Sequence, residues 1–125
     1  MPDISRFKGL KVAVTGASGS LGKTLVQELQ EKGAYVVGLT HKKKNSSNSL
    51  RSTPDHWIFW SCGEEELLIT RLADIDILIL NHGYNPKQMI DSNDIDKAIE
   101  INSLSHWRLI KIFENLALSP NGNNY

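Results

Sequence analysis

A single cysteine, Cys62, leaves no partner for an internal disulfide, which excludes a stapled secreted scaffold and suits a reducing cytoplasm. Acidic and basic residues balance at 14 each, so bulk charge offers nothing to nucleic acid or to an anionic membrane. No apolar run approaches the ~20 residues a membrane span requires, and Met1–Gly9 lacks the hydrophobic stretch of a secretion signal. No cluster of His, Cys and Asp has metal-ligand spacing, and no internal repeat is visible. Cys62 itself reads as a buried or half-buried small apolar residue. These absences predict a cytoplasmic globular domain with no metal, nucleic-acid or membrane partner. At 125 residues the chain is long enough to bury a core of its own.

The most informative stretch is Leu10–Leu25, LKVAVTGASGSLGKTL. An apolar run ends abruptly at Thr15-Gly16, Gly16, Gly19 and Gly22 recur every third residue, and Leu21, Leu25, Val26 and Leu29 then take helical spacing. The pattern predicts strand, glycine turn, helix. Such a turn aims backbone N–H groups and the positive end of a helix at one point, which suits a phosphate. In a dinucleotide site Gly16 allows the sharp exit from the strand, Gly19 lets backbone approach a pyrophosphate, and Gly22 permits close helix packing. A P-loop is the alternative. Ala17-x-x-x-x-Gly22-Lys23-Thr24 fits a loosened version, with Lys23 reaching the phosphates and Thr24 holding Mg²⁺. That design needs a second strand ending in Asp, whereas Ile75–Leu80 ends in Asn81. The dinucleotide reading leads.

Strands are expected at Lys11–Val14, Ala34–Leu39, His56–Ser61 and Ile75–Leu80, and helices at Ser20–Lys32, stopped by Gly33, and Glu64–Leu72. His41–Asp55 reads as a polar loop, and a long helix is expected over Asp94–Leu118, beginning near Ser92 or Asn93. Residues 1–118 would form one domain and 119–125 a frayed tail. Phe7 is a candidate to cover the sheet edge. Alternation of continuously apolar strands with helices means an α/β fold, a Rossmann-like doubly wound parallel sheet. Right-handed crossovers give strand order 3-2-1-4, with ligand at the carboxyl ends between strands 1 and 4. The glycine turn and Asn81-His82-Gly83 both fall there.

With those segments in view, the chain resembles the N-terminal, cofactor-binding half of the short-chain dehydrogenase/reductase family. Thr15–Gly22 reads TGASGSLG where the family commonly has TGASSGIG, and the exchange at 19 and 20 matches the glycine spacing of its longer members. Asn81-His82-Gly83 stands for the family's NAG, and Ile101-Asn102 for its Ile/Val-Asn pair. The resemblance implies cofactor contacts from Gly16, Ser18, Gly19, Ser20, Leu21, Gly22, Asn81, His82 and Gly83. It also implies a catalytic role for Asn102, positioning a proton-relay water.

Cofactor choice follows from a missing charge. NAD-binding sheets place Asp or Glu at the end of strand 2 to hold the ribose 2′-hydroxyl. Here Thr40 occupies that place, no acid occurs between Glu31 and Asp55, and His41-Lys42-Lys43-Lys44 follows at once. Absent repulsion and adjacent cations favour a 2′-phosphate, so NADP(H) is expected over NAD(H), with Thr40, His41 and Lys42 reaching it. The adenine-contacting Asp usual after strand 3 is replaced by Ser61-Cys62.

The family's Ser and Tyr-x-x-x-Lys are not found: none of Tyr35, Tyr84 and Tyr125 has Lys four residues on. The resemblance therefore implies hydride transfer at a carbonyl or alcohol carbon, while this chain alone is expected to be inactive as a truncated fold. A non-catalytic dinucleotide-binding or interaction module and the P-loop nucleotide binder are the alternatives. An uncovered stripe on the 95–116 helix and an unpaired strand-4 edge predict a homo-oligomer.

Overall fold

The computed structural model describes residues 6–41, 53–84 and 91–118. Lys42, most of the 41–55 loop and the 119–125 tail lie outside the described residues. The chain divides into two compact units: Met1–Trp60 with Asp74–Asn81, and Ser61–Ala73 with His82–Tyr125.

The first unit is built on four parallel strands: β1 (Lys11–Thr15), β2 (Tyr35–Thr40), β3 (His56–Phe59) and β4 (Ile77–Ile79), in the order β3-β2-β1-β4. This is the Rossmann-like order expected from the alternating pattern. β1 and β2 occupy the middle, which is why their apolar runs are buried almost without interruption. Helix α1 (Ser20–Glu31) lays Val26 and Leu29 against Val12, Val14 and Val36, with Leu25, Trp57, Ile77 and Ile79 packed around them. Each such side chain taken from water contributes about 1.5–3 kcal/mol. Phe7 packs on this same cluster and its amide donates to the Lys32 carbonyl. Gly33, at φ +95°, ends α1: its amide reaches Gln30 and that of Ala34 reaches Leu29.

Strand limits differ from expectation at the ends. β3 stops at Phe59, two residues early, although the Trp60 amide still donates to the Thr40 carbonyl. β4 is shortened to Ile77–Ile79, because Asp76 turns to Lys11: its carboxylate accepts from the Lys11 amide at 2.9 Å.

In the second unit the expected Glu64–Leu72 helix is a single 3₁₀ turn, Glu65–Leu68. Its amides close on carbonyls three residues back, Leu67 on Glu64 and Ile69 on Glu66, so the segment winds too tightly to run on as α-helix. The long helix starts at Ser92 as expected. Asp91 and Asp94 form a reciprocal capping box there. It is not uniform, however: α2 (Ser92–Ile99) passes through a π-helical turn, Glu100–Leu104, into α3 (Ser105–Ala117). Among the described residues of this unit, Leu68, Leu72 and Leu109 are the buried apolar ones.

Candidate functional site

The glycine turn is set by backbone contacts that leave little freedom. Gly16 has φ +67°, the left-handed conformation that other residues rarely adopt, and so turns the chain out of β1. A Cβ on Gly22 would fall 2.1 Å from the Gly16 carbonyl oxygen and 2.8 Å from the Ala17 Cα. The third glycine therefore lets α1 begin directly against the turn. Gly19 is different: the nearest atom to its Cβ position is the Gly16 oxygen at 3.6 Å, an ordinary contact. The chain's own packing does not require glycine at 19.

The turn is clasped from both neighbouring strands. On the β2 side the Ala17 amide donates to the Leu39 carbonyl at 3.2 Å, and the Ser18 and Thr40 hydroxyls are hydrogen-bonded at 2.8 Å. On the β4 side the Asn81 amide donates to Thr15 Oγ1 at 2.8 Å, and its Nδ2 donates to the Gly16 carbonyl at 3.3 Å. Thr15 Oγ1 in turn donates to the Ile79 carbonyl. Asn81 and the glycine turn thus meet at the carboxyl ends of β1 and β4, where the sheet's winding reverses.

Helix α1 starts uncapped. Gly19 is its N-cap and offers no side-chain cap, and no acidic residue lies in its first turn. The first amides of a helix have no partner within it. Ser20 and Leu21 are exposed at this end, and Gly22 is buried beneath them. Amides presented at a positive helix end, with no acidic residue in its first turn, fit a phosphate group. Thr40 is 3% exposed and turned toward Ser18, whereas His41 is exposed. Thr24 Oγ1, the P-loop's metal ligand, donates to the Ser20 carbonyl at 3.3 Å.

The second unit holds the rest. Asn102 sits in the π-helical turn and its amide group makes two bonds to one residue: Oδ1 accepts from the Tyr84 amide at 2.7 Å, and Nδ2 donates to the Tyr84 carbonyl at 2.9 Å. Gly83 packs closely beneath it: a Cβ there would lie 3.1 Å from Asn102 Oδ1, so the side-chain amide would have to shift by a few tenths of an ångström. The Tyr84 hydroxyl donates to Asp94 at 2.9 Å, and Lys97 lies over its ring. That bond to a carboxylate holds the phenol above its usual ionisation range. Asp94 is held low, first by the Asp91 amide and then by Tyr84.

His82 joins a polar group that the sequence did not announce. Its Nε2 lies 3.0 Å from Ser105 Oγ, which donates to Glu65 Oε2 at 2.6 Å. Glu65, 1% exposed, also accepts from Arg108 Nε at 2.7 Å and from the Gly63 amide. Arg108 reaches on to Glu100. His106 Nε2 contacts the His82 carbonyl at 2.7 Å, with the two imidazole centroids 4.2 Å apart. Burial pushes the Cys62 thiol up, away from thiolate character. Among the described residues no group of three or more His, Cys, Asp or Glu could hold a metal.

A parallel sheet of this order, with a glycine turn and an uncapped helix at its switch point, defines a Rossmann-like α/β protein. The profile of the NAD-dependent epimerase/dehydratase family matches residues 12–118. The chain belongs to that family, among the short-chain dehydrogenases/reductases. It is 39% identical over 109 residues to monoglucosyldiacylglycerol epimerase of Synechocystis sp., covering 86% of this chain and 27% of that protein. It is 33% identical over 114 residues to the 3-oxoacyl-[acyl-carrier-protein] reductase FabG of Rickettsia typhi, covering 82% and 46%. The chain thus spans between about a quarter and a half of the length of these curated relatives. A short-chain dehydrogenase from Leptospira borgpetersenii, solved with bound NAD+, shares the fold at a TM-score of 0.74 and 20% identity, over 93% of this chain and 49% of that one. No helix among the described residues is long and apolar enough to cross a membrane.

Proposed function

We propose that this chain binds NADP(H) as the cofactor-binding region of an oxidoreductase acting at a carbonyl or alcohol carbon. The observation that carries the reading is the uncapped start of α1, backed by the Gly16 turn and tied through Asn81 to the end of β4. Gly16, Ser18, Gly19, Ser20, Leu21 and Gly22 would hold the diphosphate by backbone amides and hydroxyls. Asn81, His82 and Gly83 would flank the nicotinamide side. When bound, the cofactor supplies the hydride. The residues of this chain bind and orient it.

The preference for the 2′-phosphate rests on charge. Thr40 ends β2 where a carboxylate would select the free ribose hydroxyl, and exposed His41 follows it. Thr40, His41 and Lys42 are the residues proposed to reach the phosphate, and the Thr40 hydroxyl also bonds that of Ser18. Asn102 is proposed to serve catalysis through its place beside Tyr84, and the chain by itself, without Ser and Tyr-x-x-x-Lys, is proposed to be inactive. One relative's name favours a second chemistry, epimerisation, since the 39%-identical protein is named a monoglucosyldiacylglycerol epimerase.

Self-association belongs to the same reading. Ile95, Ile99, Leu104, Trp107 and Ile110 are exposed along α2, the π-helical turn and α3, an apolar row that a second copy would cover. Titration of the chain with NADPH, NADH and ATP-Mg²⁺ tests the function. NADPH binding tightest supports it. NADH binding tighter overturns the preference, and ATP-Mg²⁺ binding tighter overturns the dinucleotide reading itself.

A further inference from the structure

We propose that Glu100 and Arg108 form a latch on the π-helical turn, and that through this turn they are positioning residues for Asn102. The inference rests on the reading that gives Asn102 a part in catalysis, but its geometry does not depend on a cofactor.

A count along the helix carries the argument. The Ser105 amide donates to the Glu100 carbonyl, five residues back, where an α-helix would use Ile101, four back. The turn Glu100–Leu104 therefore takes up one residue more than its α-helical equivalent. Arg108 lies eight residues after Glu100. At 3.6 residues per turn, eight residues set two side chains about 80° apart around the axis. With one residue absorbed by the π turn the spacing counts as seven, which brings the pair to within about 20° of one line. In that phase the Arg108 guanidinium faces the Glu100 carboxylate, and the two are joined as a half-buried ion pair. Ile99 and Trp107, also eight apart, are both exposed, in keeping with the same phase. The guanidinium is preset for its contact: Nε donates at 2.7 Å to Glu65, one of several partners of that buried carboxylate, and Nη2 is turned to Glu100. Rewinding the turn as α-helix would pull this pair apart, so the pair favours the wider turn.

Asn102 sits in the middle of that turn. Its side-chain amide holds both the Tyr84 N–H and the Tyr84 carbonyl, at 2.7 and 2.9 Å. Leu109, fully buried, fixes the phase of α3. Loss of the extra residue would rotate everything before the turn by about 100° against α3, and Asn102 would swing off Tyr84.

The latch is tested at Glu100, because Arg108 also holds Glu65. Couplings across hydrogen bonds in the ¹⁵N,¹³C-labelled full chain read the turn directly. In the wild type the Ser105 nitrogen should couple to the carbonyl carbon at position 100. Glu100→Ala should weaken this coupling in favour of one to Ile101, and the Tyr84 amide should exchange with solvent about fivefold faster, the worth of a half-exposed ion pair. Amides of β1 and β2 should keep their wild-type rates, which separates lost positioning from global destabilisation. Glu100→Ser, a poorer helix former than alanine, should act as Glu100→Ala does, so that helix propensity is not the cause. Glu100→Gln, whose amide oxygen still accepts from Arg108, should keep the wild-type coupling. Glu114→Ala removes a helical carboxylate paired with Lys111 beyond the turn, and should change neither readout. A wild-type Ser105 coupled to Ile101, or an unchanged coupling in both Glu100→Ala and Glu100→Ser, overturns the latch. A turn that shifts toward α-helix with Tyr84 exchange unaltered overturns the positioning of Asn102. Failure of the wild type to bind NADPH sinks the cofactor reading alone, because both readouts are taken without cofactor.

Discussion

Gly22 and Gly19 stand three residues apart in one turn, yet substitution by alanine should fail in different ways. At Gly22 the added Cβ would sit 2.1 Å from the Gly16 carbonyl oxygen. Close C···O contacts settle at about 3.3 Å or more, so the backbone must open by roughly 1 Å. The obstructing atoms are main chain, at a residue with φ +67°, and cannot swing aside as a side-chain end would. Overpacking of this kind costs about 1–3 kcal/mol, and the obstruction places it at the upper end. Alanine returns up to about 1 kcal/mol through its better helix propensity. The net loss of about 2 kcal/mol corresponds to a roughly 30-fold fall in the folded-to-unfolded ratio. At Gly19 the nearest atom is 3.6 Å away and the backbone is extended, with φ −81° and ψ 175°. Stability of Gly19→Ala should stay within about 0.5 kcal/mol of wild type, while a Cβ projecting toward the diphosphate should weaken NADPH at least about tenfold. Urea unfolding followed by circular dichroism, with NADPH fluorescence titration of the folded variants, separates the two. A Gly22→Ala protein as stable as wild type would refute the packing argument. Undiminished NADPH affinity in Gly19→Ala would refute the placement of the diphosphate.

Glu65→Ala leaves Arg108 and Ser105 facing a buried void where a carboxylate stood, and should cost about 3 kcal/mol in urea unfolding; a loss under about 1 kcal/mol would contradict the burial of that group. The Tyr84 phenol, held neutral by its bond to Asp94, should ionise at lower pH in Asp94→Asn, measured by ultraviolet absorbance titration. The sign follows: with the folded value above the unfolded one, the contribution of this bond is complete below the unfolded Tyr value and fades as pH rises through the folded one. No change in the titration of Asp94→Asn would sink that assignment. Trp107→Glu, placed in the exposed row of α2 and α3, should shift light-scattering mass toward the monomer; a monomeric wild type would remove the basis for self-association.

Periodicity carried the sheet because its signal is additive. Four apolar runs separated by turn residues specify strands, their near-continuous burial specifies parallel pairing, and crossover handedness leaves the order β3-β2-β1-β4. Glycine spacing carried the turn for a similar reason: each position obeys a local steric rule, visible at Gly16 and Gly22. Strand and helix ends were less legible. Glu65 illustrates why. An acid near a helix start reads as a solvated dipole partner, but here the carboxylate is buried under Arg108 and Ser105, residues 43 and 40 positions away. No local pattern records that pairing. The π-helical turn at Glu100–Leu104 is equally silent in composition, and Asn102, an ordinary residue of a helical stretch by sequence, holds the Tyr84 backbone from within it. Thr40 was expected at a ligand; its hydroxyl bonds Ser18, a contact between β2 and the glycine turn that only the strand register brings about.

In the proposed site a dinucleotide sits on the amides of 18–22 with Asn81 at its flank. Amide chemical-shift mapping during NADPH titration tests it most directly. The largest movements should fall on Ser18–Gly22 and on Asn81, and ATP-Mg²⁺ at equal concentration should produce smaller ones there. Movements confined to other segments, or none at saturating NADPH, would contradict it.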